Sequence, residues 1–456
     1  MMEMKELVSL QREFFLSNAT KDIQFRKEQL DKLELAIIQN QKKIYSALKK
    51  DLNKSEYESY LTEVSIVLNE IRYAKKNLKR WMKPHKVKTP ITHFPAKSYT
   101  MLEPYGVVLV LSPWNYPFQL ALAPVVGAMA AGNCIVIKSS KNSTKTTAVI
   151  TEIINKTFDP KYACCVSNEH SYDEILEEKY DYIFFTGSER VGKIVMHAAS
   201  EHVTPLSLEL GGKSPCFVDK SADIELAAKR IIWGKLLNAG QTCVAPDYVL
   251  VDYKVKQQLI QQMVKQISAM YGNPLENDNY PKIINKDHFD RLQGLIGREV
   301  NKLGGRSDDK TLKIEPAIFT EASFESEIMK DEIFGPIIPI LSYTNMDKVI
   351  RKVKERGKPL ACYIFSKDES YIQKLLKEVS FGGGCVNDTV MHLANHNLPF
   401  GGVGSSGMGN YHGEYSIHTF SHEKSVLKNR NILDIPLRYS PYTAKKLKLI
   451  KRIMNH

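Results

Sequence analysis

Apolar and polar residues follow two different periods along the chain, and these periods divide it into helices and buried strands. Over residues 25–48 and 60–81, apolar side chains return every three or four positions, a spacing that predicts amphipathic helices. Short, largely apolar runs without this spacing predict strands that are covered on both faces. Such runs span residues 107–111, 134–137, 162–166, 180–185 and 248–251.

Helical patterns lie between these runs, at residues 120–131, 144–158 and 223–238, and a further helix begins after Gly187. Buried strands that alternate with helices are typical of an α/β fold with a parallel sheet. Ligands of such folds bind beyond the carboxyl ends of the strands. We therefore expect the functional residues in the turns that follow the strands.

Three segments fall outside this alternation. Prolines interrupt residues 83–102 and predict an extended, polar segment there. Residues 304–310, rich in Gly, Asp and Lys, predict a surface loop. The tail, residues 441–456, combines apolar and basic positions at helical spacing. A helix of this kind can dock on a partner subunit, lie on an acidic membrane surface or stay unattached, and the sequence leaves these alternatives open.

Composition and charge restrict the class of protein. With 456 residues the chain is long enough for two large domains, each with its own core. The net charge of +12 comes from lysines spread over many predicted helix surfaces, which argues against a nucleic-acid partner. The seven cysteines lack the paired spacing of a disulfide framework or a metal site. We expect a reduced, cytoplasmic protein without a bound metal, a secretion signal or a membrane-spanning segment.

Two segments carry candidate chemistry. Residues 240–247 place Cys243 on a tight loop between a helix and a strand, where a thiol is exposed and oriented. Glu209 stands between two leucines and before two glycines, which predicts a carboxylate in an apolar pocket with a raised pKa. A thiol nucleophile and a nearby base perform acyl-enzyme chemistry. Each residue alone fits a structural cysteine or a paired core glutamate equally well.

Two strand ends add further candidates. Asn115 follows the run at 107–111 in a proline-rich turn, which suits a functional amide, a helix cap or a turn residue. Gly187 and Gly192 in the turn at 186–193 would let a phosphate approach a helix N-terminus. Their spacing is not Gly-x-Gly-x-x-Gly, and no Lys-Ser or Lys-Thr follows, which argues against a P-loop NTPase.

These segments, with Glu332 and Phe334 before a Gly-Pro turn, resemble the signatures of the aldehyde dehydrogenase superfamily. The sequence Val-Ala-Pro-Asp-Tyr after the cysteine is similar to the short, class-3-like branch. The resemblance runs from about residue 25 to residue 442. It implies an aldehyde-dehydrogenase-like α/β fold with a Rossmann-type cofactor domain, an α/β catalytic domain and a small bridging element. The implied division is 1–82 and 103–208 for the NAD(P)-binding domain, 209–410 for the catalytic domain, 83–102 and 411–435 for the bridging and oligomerisation element, and 436–456 for a basic amphipathic tail.

The resemblance also implies oxidation of an aldehyde to a carboxylic acid with NAD or NADP. In this reaction Cys243 forms a thiohemiacetal and then a thioester, the Asn115 amide holds the oxyanion, and Glu209 activates the hydrolytic water. The implied cofactor-binding residues are Lys138, Lys141, Gly187, Ser188, Gly192, Glu332 and Phe334. A small-molecule aldehyde is the expected substrate, and a second copy of the chain is the expected partner. The glycine-rich residues 399–409 are expected to lie beside the substrate tunnel.

The chain departs from the family at one cofactor turn, where Lys-Ser-Ser-Lys at residues 138–141 replaces the usual Lys-Pro-Ser-Glu. A lysine in place of the glutamate removes a contact to the adenosine ribose and favours a 2′-phosphate, so we expect NADP to be accepted. Tyr116, Phe118 and Phe400 are expected near the tunnel entrance, which predicts medium-chain aliphatic or aromatic aldehydes as substrates.

Two alternatives from other classes remain open at this point. One is a thiol acyltransferase or hydrolase that uses Cys243 without hydride transfer, and the other is a basic binding protein that lacks catalysis. The helix predicted over 223–238 also directs its C-terminus toward Cys243, and a helix C-terminus does not lower a thiol pKa. The thiolate must then be favoured by backbone donors, by the cofactor or by Glu209 as a base.

Overall fold

A computed structural model of the protein describes residues 2–431 and 433–454, so Met1, Ile432 and the last two positions of the predicted tail, Asn455 and His456, lie outside it. The helices it shows are α1 (Met4–Leu16), α2 (Ile23–Gln39), α3 (Gln41–Leu52), α4 (Glu56–Ser59), α5 (Ser65–Trp81), α6 (Gln119–Ala131), α7 (Thr144–Thr157), α8 (Tyr172–Leu176), α9 (Glu189–Glu201), α10 (Ile224–Leu236), α11 (Lys256–Tyr271), α12 (Lys286–Gly297), α13 (Met346–Glu355), α14 (Glu369–Glu378), α15 (Glu414–Thr419) and α16 (Ala444–Met454).

The strands are β1 (His85–Val87), β2 (Lys97–Pro104), β3 (Val107–Leu111), β4 (Cys134–Lys138), β5 (Ala163–Cys165), β6 (Tyr182–Thr186), β7 (Leu206–Glu209), β8 (Pro215–Val218), β9 (Tyr248–Asp252), β10 (Lys302–Gly304), β11 (Ser307–Asp308), β12 (Lys313–Ile314), β13 (Ala317–Phe319), β14 (Ile337–Tyr343), β15 (Ala361–Phe365), β16 (Gly383–Val386), β17 (Gly407–Met408) and β18 (Ser421–Lys428).

Two mainly parallel sheets form the body of the molecule. The first has the strand order β17-β7-β6-β3-β4-β5, in which only β17 runs antiparallel to its neighbour. The second has the order β10-β13-β14-β9-β8-β15-β16, with only β10 antiparallel. Each of the five predicted strands is present, and every side chain of β3, β4 and β6 is buried. The predicted α/β fold is confirmed.

The amino-terminal helices differ from the prediction. Residues 25–48 were expected to form one helix, but α2 and α3 meet at Asn40, whose φ of −105° and ψ of 9° are not helical. The Asn40 side chain donates to the Ala36 carbonyl at 2.8 Å, a local bond that competes with continued helix. Residues 60–81 begin with a π-helical turn, Tyr60–Val64, before α5 starts.

Two further boundaries differ. The helix expected over 223–238 ends at Leu236 as α10, because Asn238 and Ala239 adopt positive φ angles of 51° and 50°. The predicted loop at 304–310 includes the end of β10 and all of β11. Residues 83–102 are extended at β1 and β2, which pair with each other, and β2 pairs along its full length with β18. A 3₁₀ turn, Ile91–His93, interrupts the predicted extended segment between the two strands.

The amphipathic tail is helical over α16 and largely exposed. Its Ile450 and Ile453 border a cavity that Ile91 and Phe94 also line, beside the three-stranded sheet of β1, β2 and β18. Across residues 2–431 and 433–454, no helix is both long enough and apolar enough to cross a bilayer.

Strand β17 brings the glycine-rich loop to the carboxyl end of the first sheet. Gly407 pairs with Glu209, the last residue of β7, and a Cβ at position 407 would lie 2.0 Å from the Leu208 carbonyl oxygen. Position 407 also has a φ of 136°, which a glycine adopts without strain. The loop therefore lies directly beside the candidate base.

Candidate active site

The loop that carries Cys243 is held by backbone conformation and by one glutamine. Asn238, Ala239 and Gly240 all have positive φ angles, and a Cβ on Gly240 would lie 2.3 Å from the Gly335 carbonyl oxygen. The Gln241 side chain accepts from the Ile284 N–H at 3.0 Å and donates to the Lys282 carbonyl at 3.0 Å. This buried amide fixes the turn that carries the half-buried Cys243.

Asn115 lies beside this loop. Its side-chain Nδ2 donates to the Gln241 carbonyl at 3.1 Å. Its own carbonyl accepts from Asn238 Nδ2 at 2.7 Å and from Lys54 Nζ at 3.3 Å. Asn115 is buried, and hydrogen bonds hold both its backbone and its side-chain amide. Gln241, which accepts from the amide, lies two positions before Cys243 in the chain.

Glu209 ends β7 as a buried carboxyl group. Within the described residues, neither of its carboxyl oxygens has a hydrogen-bond partner. Burial therefore raises the pKa of Glu209 well above its ordinary value. A carboxyl group with this property is a stronger base when ionised than an exposed glutamate, as the sequence analysis expected.

The surroundings of the Cys243 thiol disfavour its thiolate form. Burial raises its pKa to about 12, with further contributions from the charges of Glu332 and Glu209. The backbone N–H groups of Cys243 and Val244 act in the opposite direction but to a smaller extent. Deprotonation requires a base or a bound cation near the sulfur.

Glu332 lies against the two glycines that follow Glu209. A Cβ on Gly211 would be 2.2 Å from Glu332 Oε2, so only glycine leaves room for this carboxylate. Burial and the charge of Asp247 raise the pKa of Glu332 to about 8, while the Gly212 N–H, Lys213 and Lys235 oppose the rise.

Two lysines complete this charged cluster. Lys213 Nζ lies 2.6 Å from Asp247 Oδ2. Lys235 Nζ is buried 3.9 Å from Asp247 Oδ1 and has no hydrogen-bond partner in the described part of the chain. Burial lowers the pKa of Lys235 to about 8. The cluster thus combines donors and acceptors that are not all satisfied by protein atoms.

Phe334 adopts a positive φ of 51° next to Glu332. Its ring meets the edge of Trp114 at a centroid distance of 5.4 Å. Because Trp114 directly precedes Asn115, this contact links the 332–334 turn to the turn that carries the candidate oxyanion donor.

The turn after β6 has the form of an anion site. Ser188 caps α9 by accepting from the Val191 N–H, and a Cβ on Gly187 would lie 2.5 Å from the Phe185 ring. Helix N-termini of this kind bind phosphate groups. Gly192 lies inside α9, where a Cβ would meet Leu210 at 2.9 Å, so it allows the helix to approach the strand end.

The two lysines of the 138–141 turn have different surroundings. Lys138 is buried, and its ammonium donates to the Ser167 carbonyl at 2.8 Å and to Asn168 Oδ1 at 3.2 Å. Lys141 is exposed. Of the two, Lys141 is the one whose charge is open to an approaching ligand.

An apolar cavity of about 280 Å³ reaches Cys243. Tyr116 and Phe400 line it, as predicted. Phe118 does not: it is fully buried in the hydrophobic core, so the prediction that it stands at the tunnel entrance is wrong. The other apolar side chains of the wall are Leu61, Ile66, Leu120, Trp233, Leu237, Val244, Val390, Met391, Leu393 and Ala394.

Sequence reasoning missed the charged residues that support this site from behind. Lys54 and Glu63 form a fully buried ion pair, and Glu58 Oε1 accepts from the Asn238 N–H at 2.7 Å. The amphipathic pattern of this region indicated only packing, and no local motif distinguishes these charges from solvated ones.

Comparison with known proteins agrees with this geometry. The chain matches the model of the aldehyde dehydrogenase family over residues 2–426. It is 48% identical over 436 residues to the 4,4′-diaponeurosporen-aldehyde dehydrogenase of Staphylococcus aureus, covering 95% of each chain. It is 42% identical over 450 residues to the dimeric, NADP-preferring aldehyde dehydrogenase of Canis lupus familiaris, covering 98% of this chain and 99% of the relative.

Among solved structures, the substrate-bound state of Staphylococcus aureus AldH is similar with a TM-score of 0.97 and 46% identity over 100% of both chains. These relatives give no support to a thiol acyltransferase, a hydrolase or a non-catalytic binding protein. The chain belongs to the aldehyde dehydrogenase family and is an NAD(P)-dependent oxidoreductase that acts on aldehydes.

Proposed function

We propose that Cys243, Asn115 and Glu209 carry the reaction through a covalent thioester. The observation that supports this most strongly is the buried carboxyl group of Glu209, whose oxygens have no hydrogen-bond partner among the described residues. Glu209 ends β7 and pairs there with Gly407 of the glycine-rich loop. A base that protein atoms do not satisfy, together with a thiol at an apolar cavity, fits hydrolysis of an acyl-enzyme.

The first step is attack by the Cys243 sulfur on the aldehyde carbon. As the S–C bond forms, the carbonyl electron pair moves to oxygen, and the thiol proton passes to a base. In the structure the Asn115 amide donates to the Gln241 carbonyl. During the reaction this amide and a backbone N–H near Cys243 donate to the oxyanion. When bound, a nicotinamide dinucleotide supplies the hydride acceptor that allows the adduct to become a thioester. Glu209 then takes a proton from water, which attacks the thioester and releases the acid and the Cys243 thiol.

The residues present fit such a cofactor. Gly187 and Ser188 lie at the N-terminus of α9, and helix N-termini bind phosphate groups. The Glu332 carboxylate can accept from ribose hydroxyls, and the ammonium of the buried Lys235 has no hydrogen-bond partner in the described residues. We propose that Glu332 holds the nicotinamide ribose, Phe334 contacts the ring, and Lys138 and Lys141 lie toward the adenosine.

Replacement of the nucleophile tests the proposal. Cys243→Ala should abolish aldehyde oxidation, a loss of at least about hundredfold, while cofactor binding measured by fluorescence titration stays unchanged. Cys165→Ala, which removes a buried thiol in β5, is the matched control and should retain activity. Turnover of Cys243→Ala at the wild-type rate would disprove the assignment.

We propose an aldehyde with an apolar body as the substrate, since the wall of the cavity is dominated by aliphatic and aromatic side chains. The relative at 48% identity is named for 4,4′-diaponeurosporen-aldehyde. We expect kcat/KM to rise from acetaldehyde through medium-chain and long-chain aliphatic aldehydes and benzaldehyde. A preference for acetaldehyde in this panel would contradict the proposal.

The assembly and the compartment also follow as proposals. We propose a homodimer joined through the bridging element, residues 83–102 and 411–435. In this proposed division, residues 1–82 and 103–208 form the cofactor-binding domain and residues 209–410 form the catalytic domain. The dimeric relative at 42% identity supports it. Seven cysteines without disulfides support a reduced, cytoplasmic location. Sedimentation equilibrium of the full chain tests the dimer.

A further inference from the structure

A buried ion pair lies behind the candidate oxyanion donor. Lys54 Nζ and Glu63 Oε1 are 2.5 Å apart, and both side chains are fully buried. Neither residue lines the cavity that reaches Cys243. Burying charged groups costs folding free energy unless further hydrogen bonds satisfy them. The other contacts of Lys54 and Glu63 therefore indicate the role of the ion pair.

Each partner of the pair binds the backbone near Asn115. Lys54 Nζ donates to the Asn115 carbonyl at 3.3 Å and lies 3.8 Å from the centre of the Tyr116 ring. Glu63 Oε2 accepts from the N–H groups of Phe118 at 2.8 Å and Gln119 at 3.2 Å. These contacts fix the backbone on both sides of the turn between β3 and α6. The orientation of the Asn115 amide depends on that backbone.

The same region reaches the loop that carries the nucleophile. Glu58 accepts from the Asn238 N–H, and Asn238 Nδ2 donates to both the Asn115 and the Gln241 carbonyls. The Tyr116 hydroxyl lies 2.7 Å from Thr242 Oγ1. The segment from Lys54 to Glu63 therefore contacts both the turn that carries Asn115 and the loop that carries Cys243, and it fixes their relative position.

The π-helical turn Tyr60–Val64 explains how the segment serves both sides. Leu61 and Thr62 line the cavity, while Glu63 points into the core toward Lys54. π-helical turns inside α-helices are frequently found at functional sites, because the extra residue redirects neighbouring side chains. Here the turn directs Leu61 and Thr62 to the cavity wall and Glu63 to the buried ion pair with Lys54.

We propose that Lys54 and Glu63 are positioning residues for aldehyde oxidation, which hold Asn115 where its amide meets the oxyanion. This inference rests on the proposed role of Asn115. The two residues contact neither substrate nor cofactor, and they act through the Asn115 backbone. Removing them should slow the step in which the oxyanion forms and leave the binding of cofactor unchanged.

The test uses the full-length enzyme with saturating cofactor and measures the pre-steady-state burst of NAD(P)H. The variant is Lys54→Met/Glu63→Gln, which removes both charges together and leaves an amide oxygen at position 63 able to accept from the Phe118 N–H. We expect the burst rate to fall about tenfold, since small displacements of a catalytic group have effects of this size or larger. The melting temperature and the cofactor Kd should stay near the wild-type values.

Arg12→Met is the matched control. Arg12 forms an ion pair with Asp181 at 3.0 Å, at the amino end of β6 and thus away from the carboxyl ends of the strands. This variant should retain the wild-type burst rate. If Lys54→Met/Glu63→Gln does not fold, Lys54→Gln/Glu63→Gln replaces it, because the two amides can satisfy each other, and the same fall is expected.

A double-mutant cycle with Asn115→Ala separates positioning from general damage. Asn115→Ala alone should slow the burst by about hundredfold. In that background, the paired substitution should cost less than about twofold more, since the group it positions is gone. A full additional tenfold loss, or a wild-type burst rate in the paired variant, would overturn the inference. A wild-type burst in Asn115→Ala would instead overturn the proposed role of Asn115.

Discussion

Glu209 is buried and Glu332 is half-buried, and the charges of both raise the pKa of Cys243, yet their surroundings differ. Glu209 has no hydrogen-bond partner among the described residues. Glu332 is enclosed by the Gly212 N–H and by the charges of Lys213 and Lys235. Burial raises the pKa of both, but only for Glu332 do neighbouring cations oppose it, which leaves its pKa at about 8.

The difference shows that one residue type, glutamate, suits different tasks in different surroundings. A carboxyl group without partners is free to exchange a proton with a water or a thiol, which is what a general base requires. A carboxyl group held between lysines and against Gly211 has a fixed position and suits a binding contact. The comparison therefore predicts that the two glutamates control different steps.

The largest expected effect comes from Glu209→Gln, which should slow steady-state turnover by about hundredfold or more. The burst of NAD(P)H should be reduced less than turnover, because the loss of the base acts mainly on thioester hydrolysis. Intact-protein mass spectrometry should then show the enzyme with an acyl group on Cys243. If the burst and the steady state fall equally and no adduct accumulates, Glu209 does not act on the thioester.

Glu332→Gln should have the opposite pattern and a smaller size. At pH 9, where Glu332 is ionised, we expect a roughly tenfold rise in the cofactor KM from the loss of a charge-assisted contact, with thioester hydrolysis unchanged. Above pH 8, where Glu332 is ionised, the substitution should also speed alkylation of Cys243 by iodoacetamide without cofactor, because Glu332 is the strongest charge that raises the thiol pKa. Unchanged alkylation at pH 9 would show that the two groups do not interact.

Lys141→Glu extends the comparison to the adenosine end of the cofactor. An exposed lysine there should favour a 2′-phosphate, so the charge reversal should shift the ratio of kcat/KM for NADP over NAD toward NAD by roughly tenfold. Lys156→Glu, at the far end of α7, is the control and should leave the ratio unchanged. A wild-type enzyme that does not accept NADP, or a ratio that does not move, would show that Lys141 does not face the ribose.

The sequence predicted the parts of this site that have a local pattern. Cys243 and Asn115 lie in loops next to strands, Glu209 ends a strand, and their neighbours carry the family signatures. Lys54 and Glu63 bind backbone atoms 61 and 55 residues away, and Glu58 binds one 180 residues away. Such contacts depend on the folded arrangement and leave no periodic trace.

The errors have the same origin. Phe118 was expected at the tunnel because it is aromatic and near Asn115, but the turn into α6 points it into the core. The break at Asn40 escaped prediction because the apolar spacing continues through it, while a side-chain bond to Ala36 ends α2. In both cases the local geometry of one residue decided against the average pattern.

A further glutamate, the buried Glu58, separates the free-energy cost of burying a carboxylate from a role in catalysis. Burial raises the pKa of Glu58 from 4.5 to about 6, although it accepts from the Asn238 N–H. Because the folded state binds this proton more tightly, the associated stability is present below pH 4.5 and is lost as the pH rises through 6. Above pH 6 the ionised carboxylate therefore costs the folded state about 2 kcal/mol.

Glu58→Gln keeps an acceptor for the Asn238 N–H and removes the charge. We expect the melting temperature to rise by about 1–3 °C at pH 8 and by less at pH 5, measured by calorimetry at both values. The rate of aldehyde oxidation should change less than about threefold, because the glutamine oxygen can still accept from the Asn238 N–H and hold the nucleophile loop. An equal change in melting temperature at pH 5 and pH 8 would show that the ionisation of Glu58 is not the cause. It would then be the hydrogen bond to the nucleophile loop, and not burial of the charge, that distinguishes this glutamate from Glu209.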